Sequence, residues 1–277
     1  MKVPVVVRPD GSASRPDLAF SRALHYGDGV FRTLLRFEGE LLDAEAQFDR
    51  LRDDASAIGL DMADFDPAAL LEAVEAAADG SPRAVLKILA VRAGEGRGYA
   101  PQTDRAELLV YAFPAPTHPE TFWLQGIEAE WWALTLADQP LLAGIKHLNR
   151  LEQVLAGRAM PADAQEMILG DGNGNAISGS RSNLFAVFDG CLCTPDLVRC
   201  GVRGHMRSRV LRTAASLDIP TRVEDLPWRE LESATEVFVT NSLIGIWPLR
   251  RIGSQAYAAP GPLTTRIAQA LAYPRLC

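Results

Sequence analysis

Three dipeptides constrain this chain more than any other feature: Asp171-Gly172, Asn173-Gly174 and Asp189-Gly190. They punctuate the stretch EMILGDGNGNAISGSRSNLFAVFDGCLCTPD, whose remaining residues form short apolar runs. Asp-Gly and Asn-Gly tolerate the positive φ angles of two-residue hairpin turns, so a run broken this way folds back on itself as antiparallel strands. The first half carries a similar signal at Glu38-Gly39, between FRTLLRF and ELL.

Around these strands the spacing predicts helices. In AEAQFDRLRDDASAIGL, Phe48, Leu51, Ala55 and Ile58 recur at helical intervals and Gly59 can cap the end. DPAALLEAVEAAAD opens with Asp66-Pro67 and closes at Gly80, a second helix. A third is expected from about His147, with Leu148, Leu151 and Leu155 on one face, and a fourth just after Gly201. RAVLKILAVRAG and ELLVYAFPA read as strands flanking a glycine-rich loop, and GIEAEWWALTLA and EVFVTNSLIGIWPLRRIG as further strands. FPAPTHPE holds three prolines between positions 114 and 119 and reads as a linker. The expectation is an α+β chain in two domains: residues 1–112, a linker at 113–120, and residues 121–277.

The chemistry starts with lysine. Only Lys2, Lys87 and Lys146 occur, so arginine supplies 25 of the 28 basic residues. Arginine cannot lose its proton in a protein and lysine can. Lys146 follows Ala143-Gly144-Ile145 and precedes an expected helix, whose dipole would disfavour the charged amine. A neutral amine is what carbonyl chemistry needs. The bland alternative is a solvated surface charge.

Other features suit anions. Gly201, Val202 and Arg203 precede an expected helix, where free backbone N–H groups collect. Arg50 ends AEAQFDR, and Asn241 and Ser242 stand at a strand end. The loop RAGEGRGYAP offers Arg97 and Tyr99 among three glycines, and arginine pairs well with carboxylates. Each, taken singly, reads equally as a cap, turn or surface charge.

Net charge is −7, which argues against nucleic acid or an anionic membrane as a partner. No apolar run approaches the roughly 20 residues of a membrane-spanning helix. The N-terminus lacks a signal-peptide pattern, so a cytoplasmic protein is expected. Cys191, Cys193 and Cys200 lie within ten residues, but no second pair or nearby His completes a metal set, and they read as reduced thiols.

Taken together, YGDGVFRTLLRFEGELL, RAGEGRGY, LAGIKHLNRLEQVLA, ISGSRSNLFAV, GVRGHMR and VTNSLIGIWPL resemble, in order, the motifs of fold-type IV pyridoxal-phosphate enzymes. The resemblance spans about residues 20–252. GRGY and GIKHLNRLEQ look most like the branch that cleaves 4-amino-4-deoxychorismate. The family also includes branched-chain and D-amino-acid aminotransferases.

The resemblance implies two α+β domains with pyridoxal 5'-phosphate between them, usually in a homodimer. It implies that Lys146, in the C-terminal domain, is the Schiff-base lysine and proton shuttle, with Thr33 beside the reacting centre. Arg50 would hold the cofactor phosphate, with the amides of Val202 and Arg203 and with Asn241 and Ser242. Arg97 and Tyr99 would bind substrate. Family helices usually carry His where this chain has Gln47, and family members commonly place Glu at the position of Ser178, paired with the pyridine nitrogen. The implied reaction releases pyruvate and leaves 4-aminobenzoate, a folate precursor. The competing readings are an aminotransferase of the same fold and a cofactor-binding partner without turnover.

Overall fold

In the computed structural model, residues 5–7, 13–14, 19–94 and 98–277 are described. They divide into two compact units: residues up to 116 together with Ile145–Asn149, and Thr117–Gly144 together with Arg150–Cys277.

The first unit comprises β1 (Val5–Val7), β2 (Ala13–Ser14), α1 (Arg22–Tyr26), β3 (Gly29–Phe37), β4 (Glu40–Leu41), α2 (Ala44–Ala57), α3 (Pro67–Ala78), β5 (Ala84–Arg92) and β6 (Ala106–Pro114). The strands form one sheet in the order β2-β1-β6-β5-β3-β4. Glu38 and Gly39 both take positive φ, which turns β3 into β4. Asp66 caps α3 by accepting the Ala68 amide, and Pro67 fixes its first turn.

One face of this sheet is a closed core. Val30, Leu34, Leu86, Ile88, Leu108 and Val110 pack with Phe48, Leu51 and Ala55 of α2 and Leu70 and Val74 of α3. Strand alternation sends the intervening residues to the other face. Phe31, Thr33, Lys87, Leu89 and Tyr111 are accordingly only half-buried.

Residues 145–149 were expected in the second domain, with a helix from His147. Instead they join the first unit in extended form. β4 covers only the far end of β3, through Arg36↔Leu41 and Phe37↔Glu40. The near edge is left open, and the segment fills it: Phe31 donates to Lys146 O at 2.9 Å and Leu148 donates to Gly29 O at 2.9 Å. Backbone groups committed to a strand edge cannot start a helix. Ile145 enters the core beside Val30 and Leu34.

The second unit holds α4 (Thr121–Leu124), β7 (Ile127–Thr135), α5 (Leu151–Ala159), β8 (Glu166–Gly170), β9 (Ala176–Gly179), β10 (Asn183–Phe188), β11 (Cys191–Pro195), α6 (His205–Ser216), β12 (Thr221–Glu224), α7 (Trp228–Leu231), β13 (Glu236–Asn241), β14 (Gly245–Ile252), β15 (Gln255–Ala256) and α8 (Pro262–Leu271). Its sheet runs β12-β11-β10-β13-β14-β7-β8-β9, and β9 pairs in turn with β10. That last pairing, Asn183↔Ser178, closes six strands into a ring. Phe185, Phe238, Met206, Val210 and Ile267 form a core between the ring and helices α6 and α8.

Candidate active site

Candidate residues occur in both units, and within each unit local pairing places them. In the first unit, Lys146 is held by its backbone. Its amide donates to Asp54 Oδ2 at 3.0 Å, and its carbonyl accepts from Phe31. The Lys146 ammonium lies 4.7 Å from the centre of the Phe31 ring. Helix α5 begins only at Leu151, so a helix dipole does not act at Lys146 as the sequence had suggested.

Asp54 also grips Arg32 at 2.5 Å, and Arg32 donates to Arg50 O at 3.2 Å. Both Arg32 and Asp54 are buried. Burial raises the Asp54 carboxyl above its ordinary value, opposed chiefly by Arg32, the Lys146 amide and Arg50. The guanidinium stays charged, since arginine does not titrate in proteins. Sequence reasoning missed this pair. The signal was present: Asp54 falls three residues after Leu51 and four before Ile58, on the apolar stripe of α2.

Thr33 lies two residues along β3 from Phe31 and directly opposite Lys87. Arg50 sits on α2 in the same unit. Gln47, where a His was anticipated, is buried and reaches Thr33 O at 3.5 Å. Tyr99 is 89% exposed, with its ring edge-on to Tyr26 at 5.7 Å. Arg97 lies outside the described residues.

In the second unit the anion loop forms as a strand-like bridge followed by a helix. Gly144, two residues before Lys146 in the chain, donates to Gly201 O at 3.0 Å and accepts from Arg203 N at 2.9 Å. The Arg203 amide is thereby committed and is not the phosphate donor expected of it. Among the described residues, the Val202 amide donates to no backbone acceptor in this bridge. The helix begins at His205, four residues later than the turn at Gly201 suggested, because Asn183 holds the approach. Its side chain donates to Val202 O at 2.7 Å and accepts from Gly204 N at 3.1 Å. A Cβ at Gly204 would stand 2.2 Å from that Asn183 oxygen, so the clamp needs glycine there.

Asn241 departs from its expected role. Its side-chain oxygen accepts from Leu243 and Ile244, and its amide donates to Arg181 O. It shapes the turn after β13 rather than offering a spare oxygen. Ser242 stands in the same turn and its carbonyl accepts from Tyr273 Oη at 2.7 Å.

Ser178 is buried at the ring closure, opposite Leu169 and Asn183. The nearby buried acid is Glu166. It accepts from Met167 N, Ser180 N, Ser180 Oγ and Ser182 Oγ. A carboxylate so occupied fixes the turn before Asn183.

The donor types suit a phosphate-bearing aldehyde: a primary amine, a guanidinium, the Val202 amide, the first-turn amides of α6 and hydroxyls. The pyridine nitrogen is the exception, since Ser178 is neutral. The chain matches the model of the amino-transferase class IV family over residues 29–252. The chain belongs to that family.

It is 32% identical to the aminodeoxychorismate lyase of Vibrio harveyi over 238 residues, 84% of this chain and 86% of the relative. A solved 4-amino-4-deoxychorismate lyase from Pseudomonas aeruginosa is 37% identical with a TM-score of 0.88, covering 97% of each chain. The branched-chain amino acid aminotransferase of Escherichia coli is 26% identical with a TM-score of 0.81, covering 97% of this chain and 92% of that one.

Proposed function

We propose that this protein is a pyridoxal-phosphate-dependent lyase that converts 4-amino-4-deoxychorismate to 4-aminobenzoate and pyruvate. The observation that carries the reading is the likeness to the Pseudomonas aeruginosa lyase, 37% identical across 97% of both chains.

Lys146 and Arg50 in the first unit, and Val202, the start of α6, Ser242 and Ser178 in the second, are the residues that would hold the cofactor. When bound, pyridoxal phosphate supplies an electron sink for the carbon that bears the substrate amine. Lys146 then serves as base, taking the proton from that carbon, a contribution of roughly 10²–10⁴-fold for positioned general bases. Its backbone, fixed by Asp54 and Phe31, sets where the amine can reach. The C–O bond to the enolpyruvyl group breaks with its electron pair left on oxygen, the ring becomes aromatic, and the released enolate takes a proton on carbon to become pyruvate. Thr33, on the same strand face as Phe31, would hold a hydrogen bond near the reacting carbon.

The protein is proposed to act in the cytoplasm as a homodimer. Support for association comes from α5, where Leu151 is 76% exposed and Val154 and Leu155 are also exposed. Apolar side chains grouped on one helix favour a protein contact. Light scattering reads the oligomeric state directly.

Pyruvate release from freshly made aminodeoxychorismate tests the reaction. Amino transfer from D-alanine or a branched-chain amino acid, without pyruvate release, would replace it with the aminotransferase reading favoured by the 26% identical Escherichia coli structure.

A further inference from the structure

We propose that Arg22 is a positioning residue: it fixes the Gly98–Tyr99 backbone, and with it the segment that meets the substrate, to the strand end that also carries the Lys146 segment. The substrate role of the Gly98–Tyr99 segment rests on the lyase reading above.

The clamp is built from a single short turn of chain. Ser21 caps α1 by accepting the Ala23 amide, and Gly27, at φ 64°, ends the helix after five residues. Arg22 and Tyr26 therefore stand four apart on one face, with the Arg22 guanidinium 4.8 Å from the centre of the Tyr26 ring. Arg22 is buried, and each of its three nitrogens has an acceptor. Nε donates to Asp28 Oδ2 at 2.8 Å, Nη1 to Gly98 O at 2.9 Å and Nη2 to Tyr99 O at 3.1 Å. The Gly98 amide in turn donates to Tyr26 Oη at 2.9 Å. A φ of 90° at Gly98 bends the chain so that two successive carbonyls reach one planar fork.

Asp28 joins this clamp to the lysine. Its carboxylate also accepts from Arg92 at 3.0 Å, and Arg92 holds Thr103 O and Asp104 farther along the same segment. On either side of Asp28 stand Gly27 and Gly29. Gly29 O accepts the Leu148 amide at 2.9 Å. Gly27 packs so closely on Asn149 that a Cβ there would stand 2.3 Å from its side-chain oxygen. The Tyr99 and Lys146 segments are thus tied to the same three residues, Gly27–Gly29. Arg92 alone gives Asp28 a countercharge, so the distinct contribution of Arg22 is its hold on the two carbonyls. The alternative is that Arg22 stabilises the fold and has no bearing on the substrate.

Arg22→Lys separates these readings, because it keeps a charge beside Asp28 and loses the fork. In the cofactor-loaded protein, KM for pyruvate release should rise about tenfold, below the roughly 100-fold that a displacement of about 1 Å can cost. The fall in kcat should be smaller. Chorismate, which has the substrate's ring and both carboxylates but no amine, should bind about tenfold more weakly. Cofactor absorption should be unchanged. Hydrogen exchange should quicken at residues 98–104 and stay as in wild type at 146–149.

Unchanged KM and chorismate affinity in a folded Arg22→Lys overturn the proposal while leaving the lyase reading intact. So does equal disturbance of exchange at 98–104 and 146–149 with altered cofactor absorption, which would mark general damage. Chorismate binding that depends on Arg22, without pyruvate release by wild type, keeps the proposal and removes the lyase reading. No chorismate binding by wild type overturns both. If Arg22→Lys does not fold, Tyr26→Phe decides: it removes only the oxygen that accepts the Gly98 amide, it should raise KM in the same direction, and an unchanged KM overturns the proposal.

Discussion

Asp54 and Lys146 are joined through the backbone: the Asp54 carboxylate accepts the Lys146 amide at 3.0 Å while it holds the buried Arg32 guanidinium at 2.5 Å. One side chain thus anchors the segment that presents the amine and neutralises the charge beneath it. Removing it strands Arg32 without its partner. Breaking a buried pair from one side costs about 3–5 kcal/mol. Asp54→Ala should lower stability by that order in urea denaturation, and Asp54→Asn by less. A loss under about 1 kcal/mol, the scale of one ordinary hydrogen bond, would show that the pair does not anchor the segment.

Lys146 should be the residue that attaches the cofactor. Borohydride reduction of the cofactor-loaded protein, followed by peptide mapping, is expected to tag Lys146. The informative competitor is Lys87, whose ammonium lies equally close to the Phe31 ring. A tag on Lys87 instead would sink the assignment of Lys146.

Much of this arrangement was legible in the sequence because it is local. Glu38-Gly39 and Asp189-Gly190 take the positive φ angles that their hairpins require. Asp66-Pro67 starts α3 as capping chemistry dictates. What was illegible depends on partners remote in the chain. The His147 segment has a helix-like apolar spacing, yet an open strand edge at Gly29–Phe31 outcompetes helix formation there. Nothing near residue 147 announces that edge. The same holds for Asn183, whose clamp on Val202 and Gly204 reaches 19 residues along the chain at its nearer contact. It decides where α6 begins. Asp54 was legible in principle, but within DRLRDD it reads as one solvated charge among several.

Asp171 predicts a pH dependence of stability. It is buried, which raises its carboxyl, but hydrogen bonds from Asn175, Arg199 and Asn173 outweigh that and hold it below its ordinary value. A folded-state value depressed below the unfolded one adds stability above the unfolded value, near pH 4, and loses it as pH falls through the folded value. Asp171→Asn should therefore cost about 1–3 kcal/mol at pH 7, with the gap to wild type narrowing below about pH 4. Denaturant titrations at pH 7 and pH 3 check this. An equal gap at both values would mean that the charge of Asp171 contributes nothing.

Ser178 bears on which reaction the site favours. Amino transfer requires the electron pair freed at the amine-bearing carbon to be held until a proton arrives elsewhere. A carboxylate beside the pyridine nitrogen keeps that nitrogen protonated and deepens the sink. Elimination asks for less, because the pair passes at once to the departing enolpyruvyl oxygen. Ser178 is neutral, and the buried Glu166 accepts hydrogen bonds from Met167, Ser180 and Ser182. Glu166 is thus engaged in shaping its own turn. Wild-type protein should show little or no amino transfer from simple amino acids. Ser178→Glu should raise that half-reaction relative to pyruvate release, at some cost in stability from a larger side chain at a buried position. Both activities and the denaturation midpoint should be measured in the two proteins. A folded Ser178→Glu with an unchanged ratio would show that Ser178 is not the partner of the pyridine nitrogen.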